Sequence, residues 1–124
     1  MTLSVLLFDM ETGAAGVATA TGIAAVGAFV PHAEAGVGAL TTQGAYTNWL
    51  YGARGLELLR KGYRAKEVLQ RLIAEDEGRE FRQCLVVDHH KDLALGHQRV
   101  ERGQRDPLQR VGVFVHDPRH TLQT

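Results

Sequence analysis

Threonine stands second in the chain, directly behind Met1. Its side chain is small enough for an initiator methionine to be trimmed, which would leave a free α-amine and a hydroxyl on one residue. That pair is chemically self-sufficient. An α-amine titrates at about 8, so it can take the hydroxyl proton while the oxygen attacks an amide carbonyl. The apolar run behind it, Leu3-Ser-Val-Leu-Leu-Phe8, would hold both groups still, as productive attack requires. A threonine in second place is also commonplace, so the dipeptide marks Thr2 as a candidate nucleophile and no more.

Other reactive side chains are scattered. His32 follows Pro31 at the expected end of a strand and is a candidate acid or base. His89, His90, Asp92 and His97 form one loose group of metal-ligand types, and His116, Asp117 and His120 another. Zinc ligands normally sit on rigid elements, whereas the first group falls in a hairpin turn and the second is interrupted by Pro118. Both read as solvated positions, and no metal is expected. Cys84 opens the apolar run Cys84-Leu-Val-Val87 and reads as buried packing. The chain has no phosphate-binding Gly-x-x-x-x-Gly-Lys motif, no Gly-x-Ser-x-Gly elbow and no Gly-x-Gly-x-x-Gly. No cofactor is expected.

The elements that must position these residues follow from periodicity. Residues 3–8 are apolar on both faces, as in a strand between two layers. Asp9-Met-Glu-Thr-Gly13 is turn chemistry, and Ala14–Thr21 returns with Val17, Thr19 and Thr21 alternating against Gly16, Ala18 and Ala20. Residues 3–21 therefore read as a hairpin. A bend and a third strand are expected over Gly22–Pro31, with Phe29 and Val30 at the strand's end, and a fourth strand over Gly36–Gln43, followed by a loop, Gly44–Arg54, in which Tyr46, Trp49 and Tyr51 cap the core edge or line a pocket mouth. Two helices are expected, a short one at Gly55–Lys61 and an amphipathic one at Ala65–Glu77 with Val68, Leu69, Leu72 and Ile73 as its apolar stripe. Phe81–Val87 and Leu93–Leu95 then pair across a turn. Strands, two helices and strands again make an α+β domain with helices segregated on sheet faces.

Composition narrows the class without naming an activity. A chain of 124 residues is one domain, and 44% hydrophobic with 23% charged residues is an ordinary globular balance. Fourteen basic and fourteen acidic residues cancel, so no field recruits nucleic acid. Residues 1–53 contain no lysine or arginine, and Thr12–Ala33 is uncharged, yet that stretch is rich in Ala, Gly and Thr and has few of the large aliphatics of a membrane span. Met1–Phe8 has no basic n-region for a secretory signal. The expectation is a cytoplasmic protein with no membrane or nucleic-acid partner. From Gln98 onward the texture changes to Gln, Arg, Glu and Pro, so residues 1–97 read as the domain and 98–124 as a divergent polar tail with a lone strand at Val111–Val115. A sandwich shortened in this way leaves strand edges open, and a homo-oligomer is expected.

Several segments carry a specific resemblance. Thr2-Leu-Ser-Val with Asp9-Met-Glu-Thr-Gly13, Ala25-Val-Gly-Ala-Phe-Val-Pro-His32, Ala35-Gly-Val-Gly-Ala39 with Thr42-Gln43, Tyr51-Gly-Ala-Arg-Gly-Leu-Glu-Leu-Leu59, and Asp76-Glu-Gly-Arg-Glu-Phe-Arg-Gln83 with Val86-Val-Asp88 are similar to an uncharacterised bacterial and archaeal family, domain of unknown function 1028. That family resembles the N-terminal-nucleophile (Ntn) hydrolases. The resemblance covers about residues 2–97 and implies a four-layer αββα sandwich, here incomplete because relatives are close to twice this length. It also implies hydrolysis of an amide bond in a small amide, ureido compound or peptide by an N-terminal residue. Thr2 falls at the nucleophile position. Thr21 and Gly22 fall where relatives often carry a serine followed by a basic or polar residue, and Thr42-Gln43 falls on a Thr-Gln pair from which an oxyanion donor is expected. With His32, these are the expected substrate-binding or oxyanion residues. Two departures stand out: no lysine accompanies Thr2, position 22 being glycine, and relatives are close to twice this length. A catalytically inactive ligand- or partner-binding domain, or a truncated fragment, is the alternative.

Overall fold

A computed structural model of the chain describes residues 2–44, 47–90, 92–96 and 109–116. Two sheets stack face to face. The first has strand order β2-β1-β7 and the second β3-β4-β5-β6. The hairpin expected at the start is present as β1 (Thr2–Asp9) and β2 (Ala15–Thr21), antiparallel in unbroken register from Thr2 opposite Thr21 to Phe8 opposite Ala15. Its turn is closed by Asp9, whose carboxylate accepts from the Glu11 N–H at 2.9 Å and the Thr12 hydroxyl at 2.7 Å. Gly13 supplies the positive φ of 73° that ends the turn.

The second sheet is formed by β3 (Pro31–Glu34), β4 (Gly38–Gly44), β5 (Arg82–Asp88) and β6 (Leu93–Gly96), all antiparallel. Here the structure shows the expected bend and corrects the strand after it. Residues 22–30 hold the bend and a short 3-10 turn at Val26–Ala28, with Ala25 at φ 57°, and the strand begins at Pro31 rather than ending there as expected. The run of small residues there has too little side chain to hold a sheet face, and the chain uses it to cross from one sheet to the other.

Two helices cover the outer face of the second sheet. Helix α1 spans Leu50–Arg60 and α2 spans Ala65–Ala74. Helix α1 is a full turn longer at its start than expected, and it takes in part of the anticipated loop. Gly52 and Gly55 lower its helical propensity, but packing requires them: a Cβ at Gly52 would lie 2.1 Å from the His32 ring, and one at Gly55 would lie 2.9 Å from Leu40. Helix α2 begins where Glu67 reaches back to the Arg64 N–H at 2.9 Å and Asp88 accepts from the Ala65 N–H at 2.9 Å.

The interior has two apolar parts. Leu40, Leu59, Val68, Leu72 and Val86 form the core between helices and sheet, each fully or nearly fully buried. Leu6, Phe8, Ala39, Leu85 and Val87 fill the space between the two sheets. Burial of each large side chain stabilises the fold by about 1.5–3 kcal/mol. Within the segment expected as a polar tail, β7 (Gln109–His116) is not a lone strand: it pairs in parallel with β1, Thr2 standing opposite Gln109. The rest of that segment lies outside the described residues. The architecture is α+β, with two sheets and two helices.

Candidate functional site

Along the strands the space between the sheets changes character. Its apolar end holds Leu6, Phe8, Ala39, Leu85 and Val87, and the other end is lined by hydroxyls and amides. Because side chains alternate along a strand, Thr2 and Ser4 share the inner face of β1 with Leu6 and Phe8. Register places Thr21 beside Thr2 and Thr19 beside Ser4. From the second sheet come Thr41 and Gln43 on β4 and Gln83 on β5.

These groups are linked. The Thr2 and Thr21 hydroxyls lie 3.1 Å apart and share a hydrogen bond. One pleat further in, Ser4 Oγ donates to Gln43 Oε1 at 3.4 Å and accepts from Thr41 Oγ1 at 3.3 Å. With its single proton committed, its 3.1 Å contact to Thr19 is one in which Thr19 donates. Gln43 Nε2 in turn donates to Gln83 Oε1 at 3.3 Å. Thr2 is 8% exposed, Ser4 0% and Gln43 4%, so the Ser4 cluster lies in the buried interior and the separate Thr2–Thr21 pair lies above it, where Thr2 still touches solvent.

Of the expected site residues, the structure brings Thr2, Thr21 and Gln43 to this end. Gly22 follows Thr21 on the exposed side, and a Cβ there would meet nothing within 4 Å. Thr42 and His32 are elsewhere. Thr42 lies opposite Cys84 on the helix-facing side of the second sheet, fully buried, its hydroxyl without a partner among the described residues. His32 lies opposite Leu40 on that same side, its Nε2 3.2 Å from the Phe29 carbonyl oxygen and its ring against Gly52 of α1. The sheet itself separates both from Thr2. Ser4, Thr19, Thr41 and Gln83 were not singled out by sequence reasoning. The signal lay in the two-residue spacing of Thr2 with Ser4 and of Thr19 with Thr21, polar groups on a strand face that is otherwise apolar.

A concavity of about 220 Å³ lies on the helix side, lined by Tyr51, Ile73, Cys84 and Gly96 together with Arg79, Glu80 and Arg82. Cys84 offers no nucleophile to it, because burial pushes the thiol up to about 12. Beside it, Asp76 accepts from the Tyr51 hydroxyl at 2.7 Å, Asn48 Nδ2 at 3.4 Å, the Gly78 N–H at 2.9 Å and Arg82 Nε at 3.1 Å. Burial alone would push the Asp76 carboxyl up, but these donors outweigh it and hold the carboxyl below its ordinary range. The Tyr51 phenol moves the other way, raised first by burial and then by its bond to Asp76. Tyr51 is thus buried in the core and also lines this concavity, Trp49 is exposed, and Tyr46 lies outside the described residues. In the β5–β6 turn the His89 and His90 rings lie 3.8 Å apart, and Asp88 accepts from the His90 and Asp92 N–H groups at 2.8 and 3.0 Å. Asp88 therefore has a structural use. Among the described residues no three His, Cys, Asp or Glu side chains are grouped to hold a metal ion, and no helix is long and apolar enough to cross a membrane.

The family model described as "Family of unknown function (DUF1028)" matches residues 2–103. The chain belongs to this family. A crystal structure of protein SPO2555 from Silicibacter pomeroyi, also labelled DUF1028, is similar to this DUF1028 chain with a TM-score of 0.73 and 33% identity. The similarity covers 78% of this chain and 43% of that one, so the DUF1028 chain described here spans less than half the length of its structural relative. No curated protein matches it.

Proposed function

We propose that this DUF1028 chain is an Ntn-type amidohydrolase, a member of the αββα class, that cleaves an amide bond in a small amide, ureido compound or peptide. One observation carries the reading: Thr2 opens the first strand on its inner face, at the polar end of the stacked sheets, with its hydroxyl 3.1 Å from that of Thr21. Once Met1 is removed, the α-amine accepts the Thr2 hydroxyl proton and the oxygen adds to the substrate carbonyl. The tetrahedral adduct collapses to an ester on Thr2 as the ammonium returns the proton to the departing amine. Water, deprotonated by the same α-amine, then releases the acid. Thr21 positions the nucleophile. Gln43 has a second amide N–H beyond the one it gives to Gln83, and it is the oxyanion donor of this reading, a role in which one donor is worth about 3–4 kcal/mol.

The second reading, an inactive Ntn-like domain that binds a ligand or partner, draws on one feature. Residues 1–53 hold no lysine or arginine to lower the pKa of the α-amine. The two separate on a panel of carboxamides, ureides and short peptides, assayed for released amine or ammonia with the parent chain and Thr2→Ala. Hydrolysis by the parent that vanishes in a folded Thr2→Ala supports the enzyme. Binding without turnover, equal in both proteins, supports the alternative.

A further inference from the structure

The four outer edges of the two sheets are not alike. In the second sheet β3 is four residues long, begins with a proline and carries Glu34 in an ion pair with Arg60. The opposite edge, β6, is also four residues long. In the first sheet β7 carries Arg110 and His116 in its sequence. These are the short lengths, prolines and charges by which sheets avoid edge-to-edge association. Strand β2 has none of them. It is seven residues long, reads Ala-Gly-Val-Ala-Thr-Ala-Thr, and stands at the end of the order β2-β1-β7. Its register with β1 is one-to-one throughout, so no bulge twists it away. Among the described residues, the backbone groups of Ala15–Thr21 bond only to β1. The whole stretch Thr12–Ala33 is uncharged, so a copy meeting a copy there encounters no charge repulsion.

We infer that β2 is the association edge of the molecule and that its occupant is β2 of a second copy, paired antiparallel about a two-fold axis. An antiparallel strand edge is complementary to itself, and an isologous contact of this kind closes at two copies. The axis passes near Ala18, the middle of the strand. Two three-stranded sheets then join into one of six strands, and the partly exposed Leu3 and Leu7 of both copies lie on one continuous face. A contact confined to one strand edge buries little area, so the dimer is reversible and concentration-dependent. This inference is independent of the proposed chemistry.

Sedimentation velocity over a roughly hundredfold concentration range tests it. The parent chain is expected to pass from monomer to dimer and stop there. Ala18 and Ala20 are exposed, so Ala18→Lys places like charges across the axis without entering the core. It is expected to weaken the dimer about fivefold. Mixing Ala18→Lys with Ala18→Glu should restore a heterodimer in preference to either homodimer. Ala20→Lys serves the same purpose where Ala18→Lys does not fold. A parent chain that stays monomeric at every concentration overturns the inference, as does association that ignores both substitutions or a mixture with no heterodimer preference. Capture of an extended peptide on β2 by a chain that stays monomeric also overturns it.

Discussion

The 3.1 Å contact between the Thr2 and Thr21 hydroxyls joins two strand termini that the hairpin register sets side by side. A lone threonine at a strand end populates several rotamers, and a hydroxyl partner selects among them. Thr21→Val should therefore lower kcat by about five- to tenfold, the worth of one ordinary hydrogen bond, with KM little changed, and Thr21→Ser should recover it. A rise in KM with kcat little changed would assign Thr21 to substrate contact instead. Gly22 is the second residue-scale lever. A side chain there meets no neighbour within 4 Å, so Gly22→Lys is expected to leave the melting temperature nearly unchanged. The added cation should depress the α-amine pKa and shift the acid limb of the pH–rate profile downward. Thr2 could be singled out from sequence because its position and chemistry are local. The placement of Thr42 and His32 could not, since it depends on which face of β4 and β3 turns toward the helices, and that is decided by pairing across the sheet.

At the level of elements, strands were legible where a short apolar run or side-chain alternation stood between turn signals, as runs in β1 and β5 and as alternation in β2. They were not legible where small residues dominate. Residues 22–29 are mostly Ala and Gly and leave even Ile23 exposed, only Val30 being buried at the segment's end, and helix α1 hides behind two glycines whose value is space rather than propensity. Gly52→Ala tests that account. The new Cβ collides with the His32 ring, so a destabilisation of about 1–3 kcal/mol by urea unfolding is expected, partly relieved by adding His32→Ala. Asp88, fully buried, ties the start of α2 to the β5–β6 turn through three backbone N–H groups. Its replacement by Ala should cost about 2–4 kcal/mol through the donors left unpaired. Asp76 links α1, the end of α2 and β5, and its folded pKa is depressed. A depressed carboxylate contributes stability above its unfolded pKa of about 3.9 and loses it as pH falls through the folded value. Urea midpoints of the parent chain should therefore drop more steeply below about pH 4 than those of Asp76→Asn. Parallel curves would remove Asp76 from the acid response.

For the whole molecule, the informative asymmetry is the one along the inter-sheet space, apolar at the Phe8 end and polar at the Thr2 end. A stable sandwich gains nothing from a row of buried hydroxyls that an apolar row would not supply, so the polar end is where chemistry is to be sought. Charge distribution is consistent with this, because residues 1–53, which include β1 to β4, carry no lysine or arginine. The parallel strand β7 was not foreseeable as a partner of β1, since nothing local in its sequence specifies a neighbour more than a hundred positions away.

Mass spectrometry of the purified chain, intact and after reaction with an amide-mimicking electrophile, tests the central claim most directly. The account predicts loss of Met1, one adduct per chain mapped to Thr2, and no adduct in Thr2→Ala. A retained methionine, or label spread over the surface hydroxyls and lysines at equal rates, would contradict it.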